Sequence, residues 1–422
     1  MTEAFLNNPL NFLGQIFNNW WWLFLPLAVF PFFKNAWLWV QREAWEKKQK
    51  YKFVELIIPN EIEKPLFIME QVFANIWPIH SSLEGRMNLK KKFWHGRKPD
   101  YFTIEIVSNG PSPRFFLRMN DKHRDAIEAA FFAQYPEMEL HEVDDSFMKE
   151  VPWNLPDKRW DMYGFDEVLL RSDAYPIKTY NQFFETKPEN TKEEKRVDPI
   201  NTLVEAMRKL KTSEKAWIQI RLEPVSEKES DHIKRGKALV NKLVNRKSTK
   251  GSGILGLLFS FQAVPKSERE LIPPEMKLTP REREIVQLVE NKIGKYAYKT
   301  NIRCIFFGEK ATFDSGRKSL LEEYFSGFSM PDINTLKKFS TTKTKIQYFF
   351  IKRRTTLRKR RMFFRYLMRE TTLYPRQGGT YILNIEELAT LFHPPIHSLK
   401  TAALLQRTMA KKGESPENLP IA

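Results

Sequence analysis

The sequence predicts an α+β protein: an N-terminal transmembrane helix, then two ferredoxin-like βαββαβ units, the second with a long insertion. Three observations lead there. The stretch Asn18–Val40, NNWWWLFLPLAVFPFFKNAWLWV, has no charge before Lys34. Two β-rich runs, Tyr101–Val107 and Arg114–Met119, are separated by Asn109, Gly110, Pro111 and Pro113, a hairpin signal. The order strand, helix, strand, strand, helix, strand can then be traced twice along the chain.

Residues 1–50 hold the expected span, at about 18–40. As a helix, Trp20–Val40 would be roughly 31 Å long, about the thickness of a hydrocarbon core. Trp20, Trp21 and Trp22 at one end, and Trp37, Trp39 and Trp45 at the other, suit the two headgroup levels. Pro26 and Pro31 predict a bend. No Lys or Arg precedes Asn19, which speaks against a cleaved signal peptide. Arg42, Lys47, Lys48, Lys50 and Lys52 follow the span. The positive-inside rule therefore predicts a single-pass protein of the cell membrane, with its N-terminus outside and its body in the cytoplasm.

The first α+β unit is expected over 51–150. Lys52–Ile58 reads as a strand ending at Pro59, and Leu66, Met69, Val72, Phe73 and Ile76 fall at helical spacing. Arg86–Lys98 reads as an exposed basic insertion before the hairpin. Asn120 or Asp121 can cap a helix to about Gln134, and Glu139–Val143 is the last strand. Residues 151–197 form a connector with one strand, Glu167–Arg171. The second unit, 198–395, opens with Asp198 as cap and Pro199 at the first helical position. Its strands are Ala216–Leu222, Tyr298–Phe307 and a closing run near Met362–Leu367, with a helix over Thr312–Phe325. The insertion, about 225–295, carries helices near Asp231–Asn245 and Pro280–Ile293. Residues 396–422 read as a linker-like tail.

The chain has 422 residues, 42% of them hydrophobic, enough for two or three domains. Its one cysteine, Cys304, excludes a disulfide framework, and the surrounding IRCIFF predicts a buried side chain. Sixty-nine basic against 51 acidic residues give a net charge of +18, which points to an anionic partner. Charge alone does not choose between lipid and nucleic acid.

No catalytic or cofactor motif stands out. Lys250–Gly256 has glycines without the Lys-Ser/Thr pair of a phosphate loop. In Gly308–Ser319, Ala311 stands where the first glycine belongs and Arg317 separates Gly316 from Lys318. His393 and His397 in HPPIH have metal-like spacing, but Pro394 and Pro395 forbid the helix that would align them. The chain is therefore expected to be no enzyme, with no cofactor and no metal. The strongest charge feature is Lys352, Arg353, Arg354, Arg358, Lys359, Arg360, Arg361 and Arg365, beside Phe363 and Phe364. It reads as a footprint for phosphates of DNA or anionic lipid, or as a solvated basic face.

Together, EIEKPLFIMEQVFANIW, FTIEIV, RFFLRM, AFFAQYPEMELHEV, AWIQIRLEPV and YILNIEELATLFHPPI resemble the N-terminal region of membrane-anchored type IV secretion or conjugation ATPases of the HerA/FtsK superfamily. The likeness covers about residues 15–422. Its most distinctive parts are AQYP at Ala133–Pro136 and EELATLFHPP at Glu386–Pro395. The tail KKGESPENLP looks like the linker before the motor domain, yet no Walker-bearing domain follows, so no catalytic residue carries over. The resemblance implies a non-enzymatic membrane-anchored adaptor of a type IV secretion-like translocation system, working with a separate hexameric HerA/FtsK-type ATPase. A homo-oligomer is a further candidate partner. Glu386, Glu387, Leu388, Leu391, Phe392, His393, Pro394 and Pro395 are the expected docking segment; the same residues also read as a helix, capped by Asn384, that closes the second unit. The alternative function is a stand-alone membrane-tethered nucleic-acid-binding protein using the cluster 352–365.

Overall fold

Helix α1 (Pro9–Lys48) is followed by β1 (Tyr51–Ile57), α2 (Phe67–Ile76) and α3 (Arg86–Trp94). The hairpin β2 (Phe102–Asn109) and β3 (Pro113–Asn120) comes next, then α4 (Arg124–Gln134) and β4 (Glu139–Glu142). The chain continues through β5 (Trp160–Leu169), α5 (Tyr180–Phe183), α6 (Pro199–Arg208), β6 (Glu214–Val225), α7 (His232–Leu243) and α8 (Pro280–Ile293). It ends with β7 (Ala297–Glu309), α9 (Ser319–Ser326), β8 (Leu336–Lys338), α10 (Ile351–Met368), β9 (Tyr381–Asn384) and α11 (Ile385–Leu391). This computed structural model describes residues 9–59, 64–80, 86–183, 198–244, 278–311, 313, 317, 319–347, 349–372 and 378–395. The charged run of the connector, the glycine loop at 250–256, Gly316, Lys318, His397 and the tail lie outside the described residues. So do the side chains of Trp20, Trp21 and Trp22.

The described residues of 1–50 and 82–99 form one compact unit and those of 51–81 and 100–422 another. In the first, α3 packs on α1. The indole N–H of Trp37 donates to the Phe93 carbonyl at 3.0 Å, the Trp37 and Trp94 rings meet edge to face, and Lys98 pairs with Glu46. Gly96 makes the crossing fit: its φ is +61° and an added Cβ would sit 2.2 Å from the Gln41 carbonyl carbon. Only glycine tolerates both conditions.

Among the described residues no helix is long and apolar enough to cross a membrane. This overturns the expected span at 18–40, the single-pass topology and the cell-membrane localisation with an outside N-terminus. The reason lies in the helix itself. α1 continues through Lys34 and Asn35, so its unbroken apolar stretch between Asn19 and Lys34, Trp20–Phe33, is 14 residues. That is about 21 Å, well short of a hydrocarbon core of about 30 Å. Pro26 and Pro31 sit inside α1, and Trp37 and Trp39 are exposed along it.

In the second unit nine strands form one antiparallel sheet, in the order β4-β1-β3-β2-β6-β7-β5-β8 with β9 on β7. Within 51–142 the order is β4-β1-β3-β2, that of a split βαβ, and β6-β7-β5-β8 is the same order read from the opposite edge. The halves are not separate units, however. β2 and β6 pair along their length, from Phe102 opposite Leu222 to Asn109 opposite Lys215, so the expectation of two ferredoxin-like units is corrected to one continuous sheet. The second half also begins earlier than expected: β5, assigned to the connector, is its first strand. Met362–Leu367, expected as the closing strand, lies inside α10, where Met362, Phe363 and Tyr366 are buried at helical spacing. β8 takes the closing place beside β5.

Alternate residues of each strand face opposite ways. One face, with Val54, Ile104, Leu117, Phe165, Ile218, Ile302 and Phe306, is covered by apolar stripes of α2, α4, α6, α9 and α11. The other carries Phe53, Val107, Phe116, Trp217, Ile305 and Phe307, covered by Phe147 and by Met362, Phe363 and Tyr366 of α10. Trp217 is the hub. Its ring lies 4.5 Å from Phe307 and 5.3 Å from Phe147 and Tyr366, and its N–H donates to Asn109 Oδ1.

Candidate anion-binding site

Helix α10 buries one side and turns the other outward. Met362, Phe363 and Tyr366 face the sheet, whereas Arg353, Arg354, Leu357, Arg360, Arg361, Phe364 and Met368 are exposed. At 3.6 residues per turn, Arg354, Arg358, Arg361 and Arg365 form one stripe, and Leu357, Phe364 and Met368 run beside it. No residue of α10 is acidic. Phe349 and Phe350, just before the helix, are each 82% exposed.

This arrangement is held against an electrostatic cost. Like charges four apart oppose a helix, and Lys352, Arg353 and Arg354 crowd the end where the helix dipole is already positive. Two devices hold the helix in place. At its C-terminal end Arg369, with φ +52°, lets its own N–H and that of Glu370 close back onto Tyr366 and Arg365 carbonyls. Beneath lies a buried row across four strands, Glu105 opposite Gln219, Gln219 opposite Arg303, Arg303 opposite Asp166. Gln219 donates to the Tyr366 carbonyl, Arg303 to the Glu370 carbonyl at 2.8 Å and to Asp166 at 2.9 Å, and Arg369 to Glu105 at 2.9 Å. The row thus grips the helix end through the Tyr366 carbonyl and the segment just after it through that of Glu370.

The second device is the loop 339–344, running beside β5. Gly164 N–H donates to Thr344 Oγ1 and Asp166 N–H to Thr342 Oγ1, while Phe339 and Thr344 donate back to Asp166 and Gly164. Arg358 ties this loop to α10, donating from Nη1 to the Ser340 and Lys343 carbonyls at 2.9 and 2.8 Å. Between loop and helix lies a cavity of about 210 Å³ lined by Thr341, Thr342, Arg354, Leu357, Arg358, Arg361 and Arg365. Its lining holds four guanidiniums and no carboxylate. Burial lowers the pKa of Arg358, and the charge of Arg354 adds to this. Burial also lowers that of Arg365, with Asp166 and Glu370 opposing and Arg303 and Arg361 adding. Both stay protonated, so the lining of the pocket is cationic.

The predicted cations therefore part company. Lys352, Arg353 and Arg360 stand on the exposed surface, Arg354, Arg358, Arg361 and Arg365 line the cavity, and Lys359 is paired with Asp161 at 2.5 Å. Thr341 and Thr342 were not singled out from the sequence, and no local signal could have found them, since the loop reaches α10 only through tertiary packing; Leu357 and Met368 were missed as well, although a helical reading of 351–368 aligns them with Phe364.

The expected docking segment lies elsewhere, and inside. Glu386, Glu387, Leu388, Leu391, Phe392, His393, Pro394 and Pro395 are all buried. Asn384 and Glu387 form a capping box, and Lys292 pairs with Glu387 at 2.9 Å. The His393 nitrogens meet the Ala389 carbonyl and Asp198 at 2.9 and 2.8 Å, which occupies both. Among the described residues no group of three potential ligands could hold a metal ion. Cys304 is fully buried, and burial raises its thiol pKa, with Glu167 and Asp166 adding.

No curated protein matches the chain. One family does match, over residues 101–405, a range that takes in every strand from β2 onward together with α10 and its cavity. The chain accordingly belongs to the family described as Domain of unknown function (DUF8128).

Proposed function

We propose that this is a nucleic-acid-binding protein and that the outer face of α10 is its contact surface. The observation that carries this is the pairing, on the outer face of α10, of an arginine stripe with the unburied ring of Phe364, next to the exposed Phe349 and Phe350 at the start of the helix. Arginine forks match phosphate oxygens. Phe349, Phe350 and Phe364 offer flat apolar surfaces on which unpaired bases stack, each stack being worth about 1–3 kcal/mol. A duplex hides those base faces, so the surface favours single strands. The adaptor role implied by the resemblance would need a surface other than Glu386–Pro395, which are in the core.

The test is fluorescence anisotropy of labelled single-stranded and duplex oligonucleotides with the full chain, alongside sedimentation with anionic lipid vesicles. Tighter binding of the single strand, weakening steeply with salt and lost on charge reversal at Arg354 and Arg361, is expected. Preference for vesicles, or binding indifferent to salt, refutes the proposal.

A further inference from the structure

We infer that the cavity between α10 and the loop 339–344 is a discrete site for a phosphate monoester, and that it reads a terminal phosphate of the bound strand. This deepens the nucleic-acid reading and rests on it. At about 210 Å³ the cavity is smaller than the pockets of about 300 Å³ and more that enclose whole drug-sized ligands, so it suits a phosphate group and not a nucleotide.

Its walls are fixed before any ligand arrives. Thr342 and Thr344 are bonded to β5, and Arg358 spans from helix to loop through two carbonyls. Such preorganisation lowers the entropic cost of capture. The charge count then chooses the ligand. A chain phosphodiester brings one negative charge to four lining guanidiniums, whereas a monoester brings about −1.5 to −2 and three strong acceptor oxygens. Thr341 lines the opposite wall with a hydroxyl that can complete the shell, while the Thr342 hydroxyl, which accepts from the Asp166 N–H and donates to the Phe339 carbonyl, holds that wall in place. The stripe of Leu357, Phe364 and Met368 borders the guanidiniums, which places apolar surface where the first bases would follow the phosphate.

The experiment compares one single-stranded 12-mer with a 5′-phosphate, a 3′-phosphate or hydroxyls at both ends, at fixed salt, using the full chain. One phosphorylated end is expected to bind about tenfold more tightly than the hydroxyl form. Thr341→Val and Arg358→Lys should abolish that preference while hydroxyl-ended DNA still binds. Arg353→Ala with Arg360→Ala, outside the cavity, should weaken all three and keep the preference. Equal binding of the three oligonucleotides overturns the terminal-phosphate site and leaves the nucleic-acid reading standing. Binding of none overturns both. A phosphoserine peptide that displaces the strand as well as the phosphorylated DNA does assigns the cavity to another partner and overturns the inference.

Discussion

Replacing Arg354 and Arg361 together by Ala tests the interface most directly. Both are exposed and both line the cavity on the side of α10 away from the sheet, so their loss leaves Met362, Phe363 and Tyr366 in place. Arg358 is a poorer choice for a double variant because it also holds Ser340 and Lys343. If the exposed arginines of α10, Arg353, Arg354, Arg360 and Arg361, each neutralise one phosphate of a hydroxyl-ended single strand, the slope of log K against log salt is about −0.7 per contact, or about −2.8. Between about 50 and 200 mM salt the affinity should then fall about 50-fold. With two contacts gone the slope becomes about −1.4 and the fall about sevenfold. Stability should hold or rise by a few tenths of a kcal/mol, because like-charge repulsion at helical spacing is removed. Anisotropy titrations at several salt concentrations, with thermal unfolding in parallel, supply both quantities. An unchanged slope in a folded variant would refute the assignment of these arginines to phosphates.

Three further outcomes follow from the packing. Burial raises the carboxyl of Glu167 from its usual 4.5 to about 8, with Glu322 and Asp166 adding and Lys338 opposing. Because the folded form holds this proton more tightly than the unfolded chain, its contribution is full below about pH 4.5 and is lost as pH rises through 8; about 3 kcal/mol should be gone by pH 7. Glu167→Gln should flatten that loss in urea titrations at pH 5 and pH 8, and a variant with the same pH dependence as the parent sinks the argument. Gly96→Ala would force a left-handed backbone on alanine against Gln41, so α3 should come away from α1 and proteolysis near 86–99 should quicken; unchanged protection of this segment would contradict the account. Glu105→Ala strands the buried Arg369 and should cost about 3–5 kcal/mol in urea unfolding, with Glu105→Gln milder; a loss below about 1 kcal/mol would show that the row does not anchor α10.

Local chemistry was legible and long-range pairing was not. Asp198 accepts from the Ile200 N–H ahead of Pro199, Thr279 and Glu282 box the start of α8, and Asn384 caps α11; each starting residue is written into the sequence beside it. The fusion of β2 to β6 has no such signal: FTIEI and IQIRLE alternate apolar with polar residues, which reads as a half-buried strand, yet the structure buries both strands on both faces along nearly all their length. Pro, Trp and the charged run KPENTKEEKR made 151–197 look like a connector with one strand at Glu167–Arg171, although β5 is an interior strand paired to both β7 and β8. MFFRYLM is too short and apolar to tell strand from helix, and the cations before it blur the helical period. The Trp-rich start misled in the opposite sense, by counting residues beyond Lys34 toward a span. At the candidate site the cluster itself could be read from composition, but not the diversion of Lys359 to Asp161 or the loop wall that makes a cavity of four arginines.

The duplicated strand order explains why the C-terminal end of α10 lies over the seam. After β4 the chain sends Phe147 onto Trp217, and after β8 it sends Phe363 and Tyr366 onto the same ring, so the tails of both halves cover one face at the β2–β6 junction. α10 is the longer of these covers, and a helix that seals a core with one side is left with the other to use. Its C-terminal anchor draws Glu105 from the first half and Gln219, Arg303 and Asp166 from the second. Neither half alone contains that row. The arginine face is therefore a property of the fused sheet, and residues 51–142 or 160–395 expressed separately should lack a fixed α10 and the salt-dependent binding assigned to it.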